Sequence, residues 1–252
     1  MSMTQAEVKN LFRKQEHKAS MLVTERLRLL SGFGIDGDLN SDDMSPRQVL
    51  LTSTQDLNQL SILPGEMREN IVLDTSSDQG FRPGAKLTFT SGAVIRLTFY
   101  CEPCKRLSHL ANSISDLEQK RGILGVIITG GAIALGDKVS IESDYFPALS
   151  EEPYERFLNY VAQIPRGKVV TYKQILRCIG VDRSYFRVMP VYIKKAPANY
   201  PLHRILDSQG KITPHIPHQL EQLKAEGITI SRDSNHHRVS LEQYVWEKSS
   251  IY

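Results

Sequence analysis

The chain has 252 residues, of which 40% are hydrophobic and 23% are charged, and this ordinary globular composition excludes a disordered or fibrous protein. The length allows one or two domains, each with a proper hydrophobic core. The net charge of +3 is mild, so charge alone indicates no polyanionic partner.

The N-terminal part of the sequence has a β-like pattern. Residues 1–20 mix acidic and basic side chains without an apolar core, which is not the pattern of a signal peptide. Residues 86–90, 94–99 and 138–141 are short β-rich runs separated by turns such as Pro83-Gly84. Segment 122–136 is shorter than the roughly 20 residues of a membrane helix, so it predicts buried strands and a turn. Three cysteines, an odd number, do not suggest a disulfide framework, so we expect a cytoplasmic protein. Since no segment predicts a membrane helix, we expect no membrane partner.

A Cys-x-x-Cys motif follows the predicted strand at 94–99. Cys101 and Cys104 are the pair, and Lys105 and Arg106 should favour the thiolate at Cys104. Half of a zinc site and a purely structural pair remain open as alternatives, although no second cysteine pair exists.

Six blocks, in order, are similar to a MOSC domain, the module named after the C-terminus of molybdenum cofactor sulfurase. They are 34–38, 46–51, 67–73, 83–87, 101–104 and 130–137, within about 21–142. The resemblance implies a closed, mostly antiparallel β-barrel over 1–145. It also implies a molybdenum cofactor or a sulfur carried on cysteine, with Cys104 as the reactive and molybdenum-binding residue. One departure is that Leu39 and Asn40 follow Asp38, where family members often have a histidine.

The residue types suggest roles around that thiol. A soft thiolate suits molybdenum, and Arg47, Arg68 and Asn70 are candidates for binding the phosphate of the cofactor's pterin. Arg68 and Asn70 could instead tie a turn, which is also the expected role of Asp36 and Asp38. The domain would then be a molybdenum-dependent oxidoreductase or a sulfur-transfer protein, with a sulfur or electron donor protein as partner.

Residues 146–153, with two prolines and several acidic and small residues, predict a linker to a second domain at 154–252. Residues 155–164 have a 3.6-residue hydrophobic period, and Thr171 is placed to cap a helix that Gly180 would end. Residues 184–195 would then form a recognition helix. Between residues 181 and 211, six basic and two acidic residues give a net charge of +4, which fits a DNA-binding or a merely solvated face.

The second domain resembles the DNA alkylguanine alkyltransferases and, more specifically, the alkyltransferase-like branch. The segment Tyr200-Pro201-Leu202-His203-Arg204 is similar to the family's Pro-Cys-His-Arg signature with leucine in place of cysteine, and 154–176 and 219–230 are similar to the flanking segments. The resemblance implies an α-rich, winged-helix-like fold. Alkyl transfer needs a thiolate, so we expect no alkyltransferase activity.

The family's base-flipping scheme maps onto this chain residue by residue. Tyr172 matches the tyrosine that presses on the target phosphate, and Arg187 matches the arginine that fills the gap left by the flipped base. The resemblance places the remaining predicted DNA-binding residues on the same surface, namely Lys194, Lys195, Leu202, His203 and Arg204. Pro190-Val191 replaces a Gly-Gly pair, and Leu202 replaces a usual tryptophan.

Two hypotheses follow. In the first, a cofactor-binding or sulfur-carrying barrel is coupled to a non-catalytic module that recognises DNA or modified purines. In the second, the whole chain is a non-enzymatic sensor of alkylated DNA, with the barrel as a scaffold. Cys178 is expected to be a buried, inert thiol, and Trp246 to pack rather than bind a base.

Overall fold

We describe the fold from a computed structural model, which covers residues 3–17, 19–233 and 236–247. The chain divides into two compact units between Leu149 and Ser150. That point lies inside the segment 146–153.

The first unit is dominated by strands. They are β1 (Met3–Arg13), β2 (Leu22–Thr24), β3 (Arg26–Leu30), β4 (Gly34–Ile35), β5 (Val49–Ser53), β6 (Ile71–Leu73), β7 (Lys86–Phe89), β8 (Val94–Tyr100), β9 (Ile123–Thr129), β10 (Gly131–Ala134) and β11 (Lys138–Glu142). Helix α1 (Thr54–Leu60) follows β5, and 3-10 turns cover Ser77–Gln79, Lys105–Leu107 and Ile114–Leu117.

Seven of these strands close into a barrel. Their order is β11-β7-β8-β9-β5-β6-β1, and β1 pairs with β11 to complete the circle. Neighbours in the barrel run antiparallel except β5 and β6, which are parallel. Strand β2 extends the sheet beyond β1, and β10, β3 and β4 form a separate small sheet. The predicted closed, mostly antiparallel barrel is confirmed.

The barrel interior is filled by aliphatic and aromatic side chains from alternate strand positions. Leu87 and Phe89 on β7 and Ile95 and Leu97 on β8 are at most 2% exposed. Fully burying side chains of this size stabilises a fold by roughly 1.5–3 kcal/mol each. On β9 the chain needs Gly125, because a Cβ there would lie 2.8 Å from the side chain of Ile95.

The second unit is mainly helical. Its helices are α2 (Pro153–Ala162), α3 (Tyr172–Ile179), α4 (Met189–Lys195), α5 (Gln219–Ala225) and α6 (Leu241–Tyr244). Its strands are β12 (Val170–Thr171), β13 (Ile205–Leu206), β14 (Ile230–Asp233) and β15 (His236–Val239), and 3-10 turns cover Arg183–Arg187 and Leu202–Arg204. Strands β12 and β13 pair in parallel, and β14 and β15 form an antiparallel hairpin.

One helix differs from its prediction. Residues 184–195 do not form a continuous helix, because a 3-10 turn ends at Arg187 and α4 begins at Met189. Pro190 is the physical reason, since it lacks an N–H to donate four residues back and its ring would clash with that carbonyl. The proline instead occupies the first turn of a new helix.

Candidate nucleic-acid interface and candidate thiol pocket

Helix α3 begins at the residue that sequence analysis identified. Thr171 caps it and, with Gln174, forms a capping box, while Gly180 ends it in a left-handed conformation. Tyr172 is the first helical residue, and its hydroxyl is buried near Thr213. Burial raises the pKa of Tyr172. The ring is partly exposed, but its hydroxyl points into the unit rather than to a phosphate.

The turn Arg183–Arg187 and helix α4 present cations to solvent. Arg187, Lys194 and Lys195 are exposed, and Phe186 beside Arg187 is 38% exposed. Within the described part of the chain, Arg187 has no hydrogen-bond or ion-pair partner. The predicted cations therefore share one surface segment, and an aromatic side chain that sequence analysis did not select lies next to Arg187.

An aromatic cluster fixes α4 on the unit. Tyr192 lies 5.1 Å from Tyr154 and 5.5 Å from Phe157, measured between ring centroids. Lys195 extends over Tyr154, with its ammonium 4.3 Å from the ring centroid. Such aromatic and cation–π contacts stabilise a packing by about 0.5–1.5 kcal/mol each, so α4 is held firmly against α2.

The Pro-Leu-His-Arg motif is held from behind by a single carboxylate. Arg204 donates to both oxygens of Glu226, and His203 Nε2 lies 2.8 Å from Oε1. The N–H of Gly167 donates to Oε2 at 3.0 Å. Burial raises the pKa of Glu226, but these hydrogen bonds outweigh it and lower the pKa to about 2. His203 and Arg204, both predicted to contact DNA, are turned inward here.

A buried amide completes the support. Gln219 is 2% exposed and donates from Nε2 to the carbonyls of His203 and Ile205, at 3.0 and 2.6 Å. Its Oε1 accepts from the N–H of Thr213 at 2.7 Å. Gln219 thus holds the backbone within and just after the motif, and Glu226 holds the side chains of His203 and Arg204. Leu202 stays partly exposed. Neither Gln219 nor Glu226 was predicted from the sequence.

The two cysteines of the barrel unit occupy different environments. Cys101 is 2% exposed, and burial raises its pKa. Arg47 reaches Cys101 Sγ at 3.5 Å and Glu102 at 2.7 Å. Cys104 is less buried and caps the 3-10 turn Lys105–Leu107, packing against a hydrophobic cluster that includes Leu107. Arg47 therefore contacts Cys101, the more buried of the two cysteines.

A cationic cavity lies beside that turn. It has a volume of about 440 Å³, and its lining includes Lys14, Arg68, Arg106 and His109. Lys14 is 2% exposed, and its ammonium donates to the Ala19 carbonyl. Burial lowers the pKa of Arg68, and Arg106 and Arg121 act in the same direction. Lys14 was missed from the sequence, where nothing distinguishes a lysine directly after a strand from an exposed one.

Arg68 and Asn70, both predicted to bind the cofactor's phosphate, lie in different environments. Arg68 has φ +66°, a left-handed conformation that non-glycine residues adopt at a cost and that recurs at functional sites. Asn70 is 4% exposed; its amide accepts from the Leu50 N–H and donates to Asp38. Asp38 accepts from the Asn40 N–H at 2.8 Å within its own turn and from the Lys14 N–H at 2.7 Å, so it ties that turn to the residue after β1.

The remaining selected residues pack as expected. Cys178 is 2% exposed, and Trp246 lies 5.6 Å from Tyr160 between ring centroids. Within 3–17, 19–233 and 236–247, no group of three or more His, Cys, Asp or Glu side chains could hold a metal ion. In the same residues, no helix has the length and apolar character needed to cross a membrane.

Similarity to known proteins agrees with this architecture. Residues 152–228 match the family described as "6-O-methylguanine DNA methyltransferase, DNA binding domain", and residues 44–140 match the MOSC domain. Alkyltransferase-like protein 1 of Schizosaccharomyces pombe is 30% identical over 105 residues, which cover 38% of this chain and 96% of that protein. The chain belongs to the alkyltransferase-like family. Its alkyltransferase-like unit follows a MOSC domain.

Two further relatives illustrate the two units. A DNA base-flipping protein of Vibrio parahaemolyticus is 33% identical over 92 residues, which cover 34% of this chain and 88% of that protein. The crystal structure of the YUAD protein of Bacillus subtilis is 18% identical with a TM-score of 0.50, and the match covers 56% of this chain and 98% of that one. The second likeness concerns the fold alone.

Proposed function

We propose that the alkyltransferase-like unit binds DNA and flips an alkylated guanine out of the duplex without removing the alkyl group. The observation that carries this proposal is Leu202 at the acceptor position of a motif that Glu226 and Gln219 hold in place. A leucine side chain has no lone pair with which to attack an alkyl group. Cys178 lies outside the motif and is 2% exposed, so it offers no substitute nucleophile.

The exposed cations support a DNA partner. Arg187 is free to enter a duplex, and Lys194 lies on the same exposed segment, where it can neutralise a phosphate. Flipping a base costs a few kcal/mol, which an inserted side chain offsets by filling the gap. The names of the relatives, a DNA base-flipping protein among them, support this role.

For the MOSC domain, we propose sulfur-based chemistry at Cys104. Cys104 would supply a soft ligand for a molybdenum cofactor, and Arg68 lies close enough to interact electrostatically with Cys104. Arg68, Lys14 and Arg106 line the neighbouring cavity and would supply cations for the cofactor's phosphate, although Cys104 itself is not one of the lining residues. Such a cofactor supplies two-electron redox chemistry when bound. The alternative chemistry is a sulfur carried on Cys104 as a persulfide, supplied by a sulfur donor. Either reaction needs a sulfur or electron donor.

One observation favours the alternative of a barrel that serves only as a scaffold. Arg47 and Asn70, two of the three predicted phosphate ligands, are hydrogen-bonded within the domain, and neither they nor Cys104 are among the residues that line the cavity beside the Lys105–Leu107 turn. Protein purified from cofactor-competent cells separates the two ideas. Bound molybdenum and pterin that disappear in Cys104→Ser and persist in Cys101→Ser would support the cofactor site. If the protein contained neither molybdenum nor pterin, and no persulfide formed on Cys104, the result would support a barrel that serves only as a scaffold.

Binding titrations test the DNA proposal. With matched plain and alkylated duplexes, we expect the full chain to prefer the alkylated one and its affinity to fall steeply with salt. Arg187→Ala should mainly remove the preference, because its side chain counts only when a base is out. Lys194→Ala should weaken both duplexes alike. Labelled methylated DNA should leave the protein unlabelled. Equal wild-type affinity for the two duplexes, or label on any cysteine, would overturn the proposal.

A further inference from the structure

A second cationic depression lies on the first unit, and its lining shares no residue with that of the cavity that contains Lys14. We call it the arginine groove. It has a volume of about 840 Å³, and its lining includes Arg13, Arg26, Arg28, Asp36, Gly131 and Ala132. With three arginines and one aspartate among its lining residues, the groove carries a local charge of +2.

The strand pattern explains why the arginines share one face. Along β3 the burial alternates, so Arg26 and Arg28 are exposed while Leu27 and Leu29 enter the core. Strand β10 places small residues opposite them, with Ala134 across from Arg26 and Ala132 across from Arg28. Small side chains there leave the floor of the groove open to a ligand.

The guanidinium groups are short of partners. Arg28 reaches Asp36 at 3.9 Å, and both side chains are more than half exposed, so this pair contributes little. Arg13 Nε is buried without a hydrogen-bond partner among the described residues. By contrast, Arg204 donates to Glu226 and to the Ile164 carbonyl.

Gly37 leaves space for the guanidinium group of Arg13. A Cβ on Gly37 would lie 3.1 Å from Arg13 Nη1, and Gly37 has φ +71°. The glycine therefore allows both the turn and the close approach of the guanidinium. Arg13 therefore packs closely against Gly37 at the groove, where its side chain is partly buried.

We propose that the arginine groove binds the phosphates of a nucleic-acid backbone. Guanidinium groups bind phosphate through planar, bidentate hydrogen bonds. Three guanidinium groups in one open groove therefore suit a chain of phosphates better than a single phosphate. Residues two apart on a strand are about 7 Å apart, so Arg26 and Arg28 would contact successive phosphates of an extended strand. An open cationic groove is also how proteins track single-stranded nucleic acid.

The test is the salt dependence of binding by the full chain to a labelled single strand and a duplex. Each neutralised phosphate contributes roughly 0.7–0.9 to the slope of log affinity against log salt, so Arg26→Gln/Arg28→Gln should lower the slope by roughly 1.5. The matched control is Arg82→Gln/Lys138→Gln, which removes two exposed, ion-paired cations from the same unit. It should change the slope much less. Thermal unfolding checks that both variants fold.

Repeating the comparison in an Arg187→Ala background separates this groove from the alkyltransferase-like unit. The slope difference should persist there, whether or not damage preference exists. Equal slopes for the groove variant and its control would overturn the proposal. Titration with inorganic phosphate and with a mononucleotide distinguishes the source of the phosphate. Groove-dependent binding of the mononucleotide, with unchanged binding of the strand, would assign the groove to small phosphate compounds and overturn the nucleic-acid assignment.

Discussion

Arg204 and Glu226 form a two-pronged ion pair, with Nε 3.0 Å from Oε2 and Nη2 2.6 Å from Oε1. The pair joins the Leu202–Arg204 turn to the end of α5, and both side chains are at most 15% exposed. The last two residues of the Pro-Leu-His-Arg motif therefore act within the unit. Their contribution to DNA binding would be to position Leu202 rather than to touch a phosphate.

Glu226→Gln should destabilise the alkyltransferase-like unit. The substitution keeps the shape but removes the charge that Arg204 and His203 share, and hydrogen bonds to charged groups contribute about 1.5–3 kcal/mol. We expect a loss of about 2–3 kcal/mol in the free energy of unfolding, measured with urea. Glu221→Gln, an exposed change on the same helix, should cost almost nothing. Equal stability of the two variants would contradict the role of the ion pair.

The same residue predicts a pH dependence. The pKa of Glu226 is lowered from 4.5 to about 2 in the folded state, so its contribution to stability is complete above about pH 4.5 and is lost as the pH falls toward 2. Unfolding free energies measured between pH 6 and pH 2 should therefore fall more steeply for the wild type than for Glu226→Gln. Parallel curves would show that Glu226 is not the group responsible.

Local features of this fold are readable from the sequence, and distant partnerships are not. The Thr171 cap, the Gly180 end and the β-runs depend on neighbouring residues, so their patterns predict them. Pro190, which divides the predicted helix at 184–195, is itself a local signal for a helix break. Glu226 and Gln219 support a motif 16 to 23 residues earlier in the chain. No local pattern marks such a partner, and none marks Lys14 as buried.

The three thiols should react at very different rates. Cys101 and Cys178 are each 2% exposed, and burial raises the pKa of Cys101, whereas Cys104 is more accessible. Because the thiolate at an accessible site is the nucleophile, iodoacetamide should label Cys104 first in the native protein. Peptide mass spectrometry after brief labelling measures this order. Faster labelling of Cys101 would contradict the assignment, and full labelling of all three in denaturant is the control.

Leu202→Trp should strengthen recognition of an alkylated base. Leu202 is partly exposed and offers no aromatic face, while its backbone is fixed by neighbours that the substitution leaves alone. Base–aromatic stacking contributes about 1–3 kcal/mol per base, so affinity for the alkylated duplex should rise at least about fivefold. The plain duplex should gain less. Leu202→Ile, which adds no ring, is the control in the same titration, and an equal gain from both variants would rule out stacking.

Phe186→Ala should weaken the distortion of DNA around the flipped base. Phe186 is 38% exposed at the end of the turn that carries Arg187, and burying an aromatic ring against solvent-exposed bases is favourable. Apolar side chains inserted at a base step unstack it and help to open the duplex. We therefore expect Phe186 to assist Arg187 from the adjacent position, since Pro190 and Val191 should limit entry of α4 into the groove.

We expect Phe186→Ala to lower affinity for an alkylated duplex by about 1–3 kcal/mol, which is the range of base–aromatic stacking. A 2-aminopurine beside the lesion reports unstacking as a rise in fluorescence, and that rise should shrink in the variant. Val191→Ala is the matched control, because Val191 is also apolar and is 59% exposed on the neighbouring helix. An undiminished fluorescence rise in Phe186→Ala, or an equal loss in Val191→Ala, would show that the ring has no specific part in opening the duplex.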